Sequence, residues 1–96
     1  MYFVYVLQSQ KDLRLYKGFT SNLEKRLKEH NAGKTKSTKG YLPWTLVYFE
    51  KVSDRVEARK REKYLKSGIG RDYLKKILKN GSIVQLDRIS DFGSDG

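Results

Sequence analysis

Two tyrosines, Tyr5 and Tyr16, lie on either side of a polar, turn-like segment, and their phenol groups could hydrogen bond to a bound ligand. If the two flanking segments form a hairpin that is symmetric about residues 10–11, Tyr5 lies directly opposite Tyr16 and both side chains point to the same face. Gly18 beside them would leave space for a ligand to approach the backbone. The alternative, which the spacing alone favours, is an aromatic cross-strand pair that only stabilises a sheet.

Arg26 and His30 are one helical turn apart, so they share one side of a helix. A guanidinium is a fork that binds phosphate, and His is the side chain whose unperturbed pKa lies near neutrality. Both residues flank a stripe formed by Leu23 and Leu27, and we expect them at the edge of the packed face. The alternative is a solvated Arg next to a surface or capping His.

Glu62 shares a helix face with Ala58 and Leu65, so its carboxylate lies on the apolar stripe. Burying a carboxylate is costly unless a cation pairs with it. That cation could be a divalent metal ion, which prefers oxygen ligands, or a basic side chain in an ordinary salt bridge. Glu57 is a weaker candidate, because the first turn of a helix favours a carboxylate anyway. The helix is rich in cations: Arg55, Arg59, Lys60, Arg61, Lys63 and Lys66.

The elements that must position these residues follow from hydrophobic periodicity and helix caps. Strands are predicted at residues 2–8, 14–19 and 44–49, and helices from Ser21 to about Asn31, from Ser53 or Asp54 to Lys66, and from Arg71 to Leu78. Ser21 and Glu24 would form a capping box, and Gly33 would be a left-handed cap.

The predicted order β-β-α-β-α-α indicates an α+β fold, a three-stranded, mainly antiparallel sheet with three helices packed on it. The first strand is apolar at both odd and even positions, so both of its faces are apolar. This predicts that it lies in the middle of the sheet, in the strand order 2-1-3.

Positive charge is concentrated in residues 1–80, which carry 20 Lys and Arg against 8 Asp and Glu, a formal charge of +12. We interpret residues 1–80 as one folded domain and residues 81–96 as an acidic, partly flexible tail that docks or adds a short strand. A strongly basic domain predicts a polyanionic partner, above all nucleic acid.

The composition excludes several kinds of site. The 96 residues include no Cys and one His, which excludes disulfides, thiolate nucleophiles and zinc sites built from several Cys or His residues. The longest apolar run is too short to span a bilayer, and no signal peptide is apparent. We therefore expect a cytoplasmic protein.

Taken together, these residues resemble the GIY-YIG nuclease family, and most closely its small, stand-alone bacterial members. Phe3-Val4-Tyr5 is similar to the first family motif and Tyr16-Lys17-Gly18 to the second, at the usual spacing. Arg26 and His30 match the family positions on the following helix, and Glu62 matches the metal-binding glutamate.

The resemblance covers roughly residues 2–80 and has three departures. Phe3 stands where the first motif has glycine, and Lys17 occupies the middle of the second motif. The Asn found near the end of many family nucleases has no clear counterpart, since Asn80 is the only nearby candidate. Both tyrosines are kept.

The resemblance implies a metal-dependent endonuclease that hydrolyses phosphodiester bonds in DNA, including structured or branched DNA. Glu62 would bind one Mg²⁺ or Mn²⁺ ion, and Arg26 would clamp the phosphate. Tyr5 or Tyr16 would orient or deprotonate the attacking water, and His30 would orient a tyrosine or share in the proton transfer.

The partner expected from the charge and the resemblance is nucleic acid, DNA rather than RNA, and not a membrane. The backbone would be held by Lys17, Lys34, Lys36, Lys39, Arg59, Lys63 and Lys66. We expect a monomer, and the sequence identifies no targeting partner. Two alternatives stay open: a catalytically silent nucleic-acid-binding module of the same fold, and an interaction protein whose basic face docks an acidic protein or membrane.

Overall fold

Strands and helices follow one another in the predicted order along the computed structural model, which describes residues 1–78 and 84–87. The strands are β1 (Tyr2–Ser9), β2 (Leu15–Thr20), β3 (Trp44–Val52) and β4 (Val84–Asp87). The helices are α1 (Leu23–Asn31), α2 (Arg55–Lys66) and α3 (Gly68–Ile77), with a short 3₁₀ helix at Lys39–Tyr41. The predicted α+β class and element order are confirmed.

The strands form one sheet in the order β2-β1-β3-β4. β1 is antiparallel to both β2 and β3, which confirms the predicted order 2-1-3. β4 pairs in parallel with β3, so the tail adds a short strand. The mobility expected for the end of the tail concerns residues 88–96, which lie outside the described residues.

The register predicted for the β1–β2 hairpin is wrong by two residues. Tyr5 pairs with Gly18, and Tyr16 pairs with Leu7. The connection is longer than a symmetric two-residue turn, because the buried Ser9 hydroxyl accepts the backbone N–H of Lys11 at 3.0 Å and helps hold a wider loop. A shift by two residues preserves parity, so both tyrosines still point to the same face.

The two faces of the sheet are covered by different helices. Val4 and Val6 of β1 point into a core formed with α2 and α3, whereas Tyr5 and Leu7 point into a second core with α1. β3 extends three residues beyond its predicted end at Phe49. The β1–β3 register shifts next to Val6.

Two helix starts differ from the prediction. The N-cap of α1 is Asn22 rather than Ser21, because the Thr20 hydroxyl accepts the Asn22 N–H and the Asn22 side chain accepts the Lys25 N–H. α3 starts at Gly68 rather than Arg71, since Ser67 ends α2 and caps α3 directly.

Other cap predictions are confirmed. Asp54 caps α2, which ends at Lys66 as predicted. Gly33 has the predicted left-handed backbone, with φ 77°.

A buried ion pair fastens α2 to β3. The Glu50 side chain is fully buried and accepts hydrogen bonds from Arg61, with Nη2 to Oε2 at 2.7 Å, and from the Tyr48 hydroxyl. Although burial by itself lowers the pKa of Arg61, the Glu50 carboxylate raises it overall. Burial and the hydrogen bond to Glu50 raise the pKa of Tyr48. Sequence analysis did not single out Glu50.

No helix among residues 1–78 and 84–87 combines the length and apolar character that a membrane span would need.

Candidate active site

The candidate site lies at the β2 edge of the sheet, where the Tyr5 phenol extends across Gly18. A Cβ atom at position 18 would lie 2.6 Å from the Tyr5 hydroxyl oxygen and 2.8 Å from its Cζ atom. The space above Gly18 was predicted to admit a ligand, but the Tyr5 phenol itself fills it. Tyr5 is 2% exposed, and its pKa is raised chiefly by burial.

Substituting Gly18 by Ala tests this close approach. The Ala methyl group would force the buried phenol to move, and overpacking of this kind costs about 1–3 kcal/mol. Gly40 is a matched control, because a Cβ there meets nothing within 4 Å among the described residues. We expect urea unfolding to show a clearly lower free energy of unfolding for Gly18→Ala and little change in it for Gly40→Ala. Equal effects would contradict the steric argument.

Three aromatic side chains meet beside Gly18. The Tyr5 hydroxyl lies 2.9 Å from His30 Nε2. The Tyr16 ring packs edge-on against the His30 ring at a centroid distance of 5.0 Å and lies 6.4 Å from the Tyr5 ring. Tyr16 is half-buried and so reaches solvent, whereas Tyr5 does not. The two phenols therefore occupy different environments around one imidazole.

Arg26 lies at the rim of this cluster. It forms an ion pair with Glu29, with Nη1 to Oε1 at 3.0 Å, and its side chain is 34% exposed. The nearby Arg26 guanidinium lowers the pKa of the Tyr5 phenol and opposes the effect of burial. Arg26 thus lies between the aromatic cluster and solvent, at the edge of the packed face of α1, as predicted.

His30 is fully buried, not at the edge of the packed face as expected. Its Nδ1 atom lies 2.9 Å from the hydroxyl oxygen of Thr38, a residue that is also fully buried. Burial, with the positive charge of Arg26 adding to it, lowers the pKa of His30 to about 4. The imidazole is therefore neutral at pH 7.

The lowered pKa of His30 predicts a pH dependence of stability. The unfolded chain binds a proton at His30 below about pH 6.5, whereas the folded chain does so only near pH 4. The contribution of His30 to the free energy of unfolding is therefore fully present above about pH 6.5 and is lost as the pH falls to about 4. The loss is on the order of 2–3 kcal/mol in all.

The measurement is urea unfolding of the wild type and His30→Gln from pH 4 to pH 8. The Gln side chain does not titrate, and the carboxylates contribute equally to both proteins. We expect the stability difference to shrink as the pH falls. Parallel stability curves would show that His30 titrates normally.

Glu62 approaches the same edge from the opposite face of the sheet. It follows the fully buried Ala58 by one turn of α2, and its side chain is 16% exposed. Its negative charge is near enough to Tyr5 to add to the rise in the phenol's pKa. Its cationic partner is Lys66, with Nζ 2.8 Å from Oε2. Glu57, the weaker candidate, is exposed and pairs loosely with Lys60 at 3.6 Å.

Glu62 is the candidate ligand for a divalent metal ion. Within the described residues, no three His, Cys, Asp or Glu side chains gather into a group that could hold a metal ion. A Mg²⁺ ion can be bound by one carboxylate, with waters and substrate phosphate completing its shell. Glu62 fits that mode, since its carboxylate reaches solvent and already attracts a cation. Asn80 lies outside the described residues.

The predicted backbone-binding cations other than Lys17 fall into two groups, one on the loop after α1 and one on α2. Three of them, Lys34, Lys36 and Lys39, are exposed on the loop between α1 and β3. Three more, Arg59, Lys63 and Lys66, are exposed on α2. Their role in binding stays a prediction.

Lys17 and Arg71 add to this positive surface. Lys17 is half-buried on β2, and burial lowers its pKa. The charges of Arg71 and Lys66 lower it further, so three cations lie close together. Sequence analysis missed Arg71, because it assigned this residue only to the start of a helix.

Thr38 was also missed as a contact of the site. It lies in the loop between α1 and β3, where only Lys34, Lys36 and Lys39 were predicted to take part in binding. Its backbone carbonyl accepts the indole N–H of Trp44 at 2.8 Å, which anchors it. No periodic pattern marks such a contact, so nothing in the sequence singled it out.

Known proteins are similar to this chain over most of its length. The family model for the GIY-YIG catalytic domain matches residues 1–74. A UPF0213 protein of Clostridium perfringens is 51% identical over 67 residues, which cover 69% of this chain and 71% of that protein. A UPF0213 protein of Staphylococcus haemolyticus is 43% identical over 77 residues, which cover 79% and 93%.

A solved structure resembles the chain as well. The solution NMR structure of a UPF0213 protein from Bacillus halodurans is 31% identical, with a TM-score of 0.50. The match covers 80% of this chain and 85% of that one.

Proposed function

The chain belongs to the GIY-YIG family, within its small single-domain UPF0213 group, and from that membership we propose that it is a metal-dependent endonuclease. Its substrate is DNA, including structured or branched DNA, and the reaction is hydrolysis of a phosphodiester bond. Membership of a nuclease family implies the coarser activity and nucleic-acid binding. The observation that carries the finer proposal is the buried Tyr5–His30 hydrogen bond at the edge approached by Arg26 and Glu62.

The residues divide into those that hold the phosphate and those that handle the proton. Arg26, at the exposed rim, contacts the scissile phosphate with its guanidinium fork. Tyr16 reaches solvent and orients the attacking water, whereas Tyr5 is buried and its raised pKa keeps the proton on its phenol oxygen, so that it acts as a hydrogen-bond donor. His30, neutral and fully buried, holds Tyr5. Glu62 would hold the metal ion, which would supply charge stabilisation at the phosphate.

The charge of the domain supports a nucleic-acid partner. Residues 1–80 carry +12, and Lys17, Lys66 and Arg71 lie close together next to Glu62. Like charges held together repel one another unless an anion lies between them, so this cluster favours a bound phosphate backbone. Contacts of this kind are independent of sequence.

A cleavage panel tests the proposal. The protein is incubated with linear, nicked, plasmid and branched DNA in Mg²⁺ or Mn²⁺, with EDTA as control. We expect cleavage with a metal, none with EDTA, and binding that weakens steeply with salt. Salt-sensitive binding without cleavage of any substrate would overturn the proposal and indicate a catalytically silent binding module. The Glu62–Lys66 salt bridge is also compatible with such a module. If the protein does not bind DNA at all, the proposal is also overturned, and the remaining interpretation is an interaction protein with a basic docking face.

A further inference from the structure

We propose that Thr38 is a positioning residue, whose hydroxyl holds His30 in the tautomer with the proton on Nδ1, so that Nε2 accepts a hydrogen bond from the Tyr5 hydroxyl. The tautomer follows from geometry alone. Its consequence for catalysis rests on the proposed nuclease function. Thr38 has no assigned role in the family resemblance, and it lies in the basic loop rather than on a predicted element.

The backbone carbonyl of Thr35 fixes the direction of these hydrogen bonds. The Thr38 hydroxyl lies 3.3 Å from the backbone carbonyl oxygen of Thr35, which can only accept. A hydroxyl has one proton, so the Thr38 oxygen that donates to Thr35 must accept from His30 Nδ1, 2.9 Å away. The neutral imidazole then has no proton on Nε2, which accepts from the Tyr5 hydroxyl at 2.9 Å.

The surroundings of Tyr5, at the other end of this series of hydrogen bonds, agree with this direction. Arg26, the charged neighbour of the Tyr5 hydroxyl, has only donors and cannot accept the Tyr5 proton. Among the described residues, His30 Nε2 is the acceptor within hydrogen-bond distance of the Tyr5 hydroxyl, so the Tyr5 proton points at it. Every bond from Tyr5 through His30 and Thr38 to Thr35 runs one way, and no donor faces another donor.

No other described group competes for Nδ1. The groups that face His30 are Arg26 and Glu29 on α1, Tyr5 on β1, Tyr16 on β2 and Thr38 in the loop. Tyr16 packs its ring edge-on against the imidazole, at 5.0 Å between centroids. Within residues 1–78, the Thr38 hydroxyl is the hydrogen-bond partner of Nδ1, so the tautomer depends on this one oxygen.

Thr38 is held firmly enough to set an orientation. Its carbonyl accepts from the Trp44 indole at 2.8 Å, and its backbone N–H donates to Thr35 at 3.1 Å. The exposed Lys36 and Lys39 flank it in sequence. The loop proposed to hold the nucleic-acid backbone therefore also sets which atom of His30 faces Tyr5.

The test reads the tautomer directly. His30 is the only histidine in the chain, so ¹H–¹⁵N NMR of ¹⁵N-labelled, tag-free protein at pH 7 reports its two ring nitrogens without ambiguity. We expect a protonated Nδ1 and a bare Nε2 in the wild type and in Thr38→Ser. Thr38→Val keeps the shape but lacks the hydroxyl, and we expect the Nε2–H form to appear. A wild type protonated on Nε2, or an unchanged tautomer in Thr38→Val, would overturn the assignment.

Cleavage kinetics provide the second readout. We expect Thr38→Val to lower kcat about ten- to a hundredfold, as misorientation at a reacting centre does, with KM little changed and activity restored in Thr38→Ser. Equal kcat in Thr38→Val would overturn the catalytic consequence. Because the tautomer measurement needs no substrate, a wild type that cleaves no DNA overturns the proposed function and leaves the tautomer assignment standing.

Discussion

Glu62→Gln is expected to lower metal-dependent cleavage of DNA by roughly 10²–10⁴-fold, since a metal ion at a phosphoryl centre supplies several kcal/mol of charge stabilisation. The amide keeps the size of the side chain but lacks the negative charge that binds a divalent ion. DNA binding should be unchanged or slightly stronger, because a negative charge beside the Lys17, Lys66 and Arg71 cluster is removed. The measurements are single-turnover cleavage and binding at matched salt.

Glu57→Gln is the matched control for this variant. Glu57 lies on the same helix, is exposed and forms a looser ion pair with a lysine. Its loss should leave cleavage at the wild-type rate. Stability should barely change in either variant, because the pairs are surface salt bridges that contribute about 0–1 kcal/mol. Equal cleavage by Glu62→Gln and the wild type would show that this carboxylate does not hold the metal.

Glu50→Ala is expected to produce the largest loss of stability, about 3–5 kcal/mol, because it leaves the Arg61 guanidinium without its buried carboxylate. Glu50 is fully buried, and the Arg61 side chain is 19% exposed. A domain of this size is stable by only about 5–15 kcal/mol, so the variant should be largely unfolded at moderate urea. Urea unfolding followed by circular dichroism measures the loss.

Two further variants separate the ion pair from other effects. Glu57→Ala removes an exposed carboxylate and should cost less than about 1 kcal/mol. Glu50→Leu combined with Arg61→Met replaces both charges by apolar groups, which is often neutral for a buried pair. We therefore expect the double variant to be more stable than Glu50→Ala. If the double variant were as unstable as Glu50→Ala, packing rather than charge would explain the loss.

The hairpin shows why the tyrosine cluster could be anticipated although its register could not. Side chains alternate with a period of two along a strand, so an error of two residues leaves Tyr5 and Tyr16 on one face. The error arose because the turn is closed by Ser9, whose side chain also donates to the Tyr41 carbonyl at 2.7 Å. That contact joins distant parts of the chain, which local turn patterns do not report.

The buried charges show where the sequence pattern was insufficient. Glu62 was marked by its place on an apolar stripe, yet the fully buried carboxylate is Glu50. A strand predicted to continue to Val52 would have placed Glu50 on the same face as Tyr48, which was the available signal. Its partner Arg61 comes from another element, so only packing could identify it.

The sequence by itself determined the class of fold, the central position of β1 and the helices that carry Arg26, His30 and Glu62, because these follow from periodicity and caps within short segments. Resemblance to the nuclease family also followed from short motifs and single residues in the expected order along the chain. Only the tertiary structure decided that Tyr5 fills the space over Gly18, that His30 is buried and neutral, and that Thr38 contacts it. The reason is physical: burial and hydrogen-bond direction depend on neighbours brought together from separate elements, and these set the pKa of a side chain and the position of its proton.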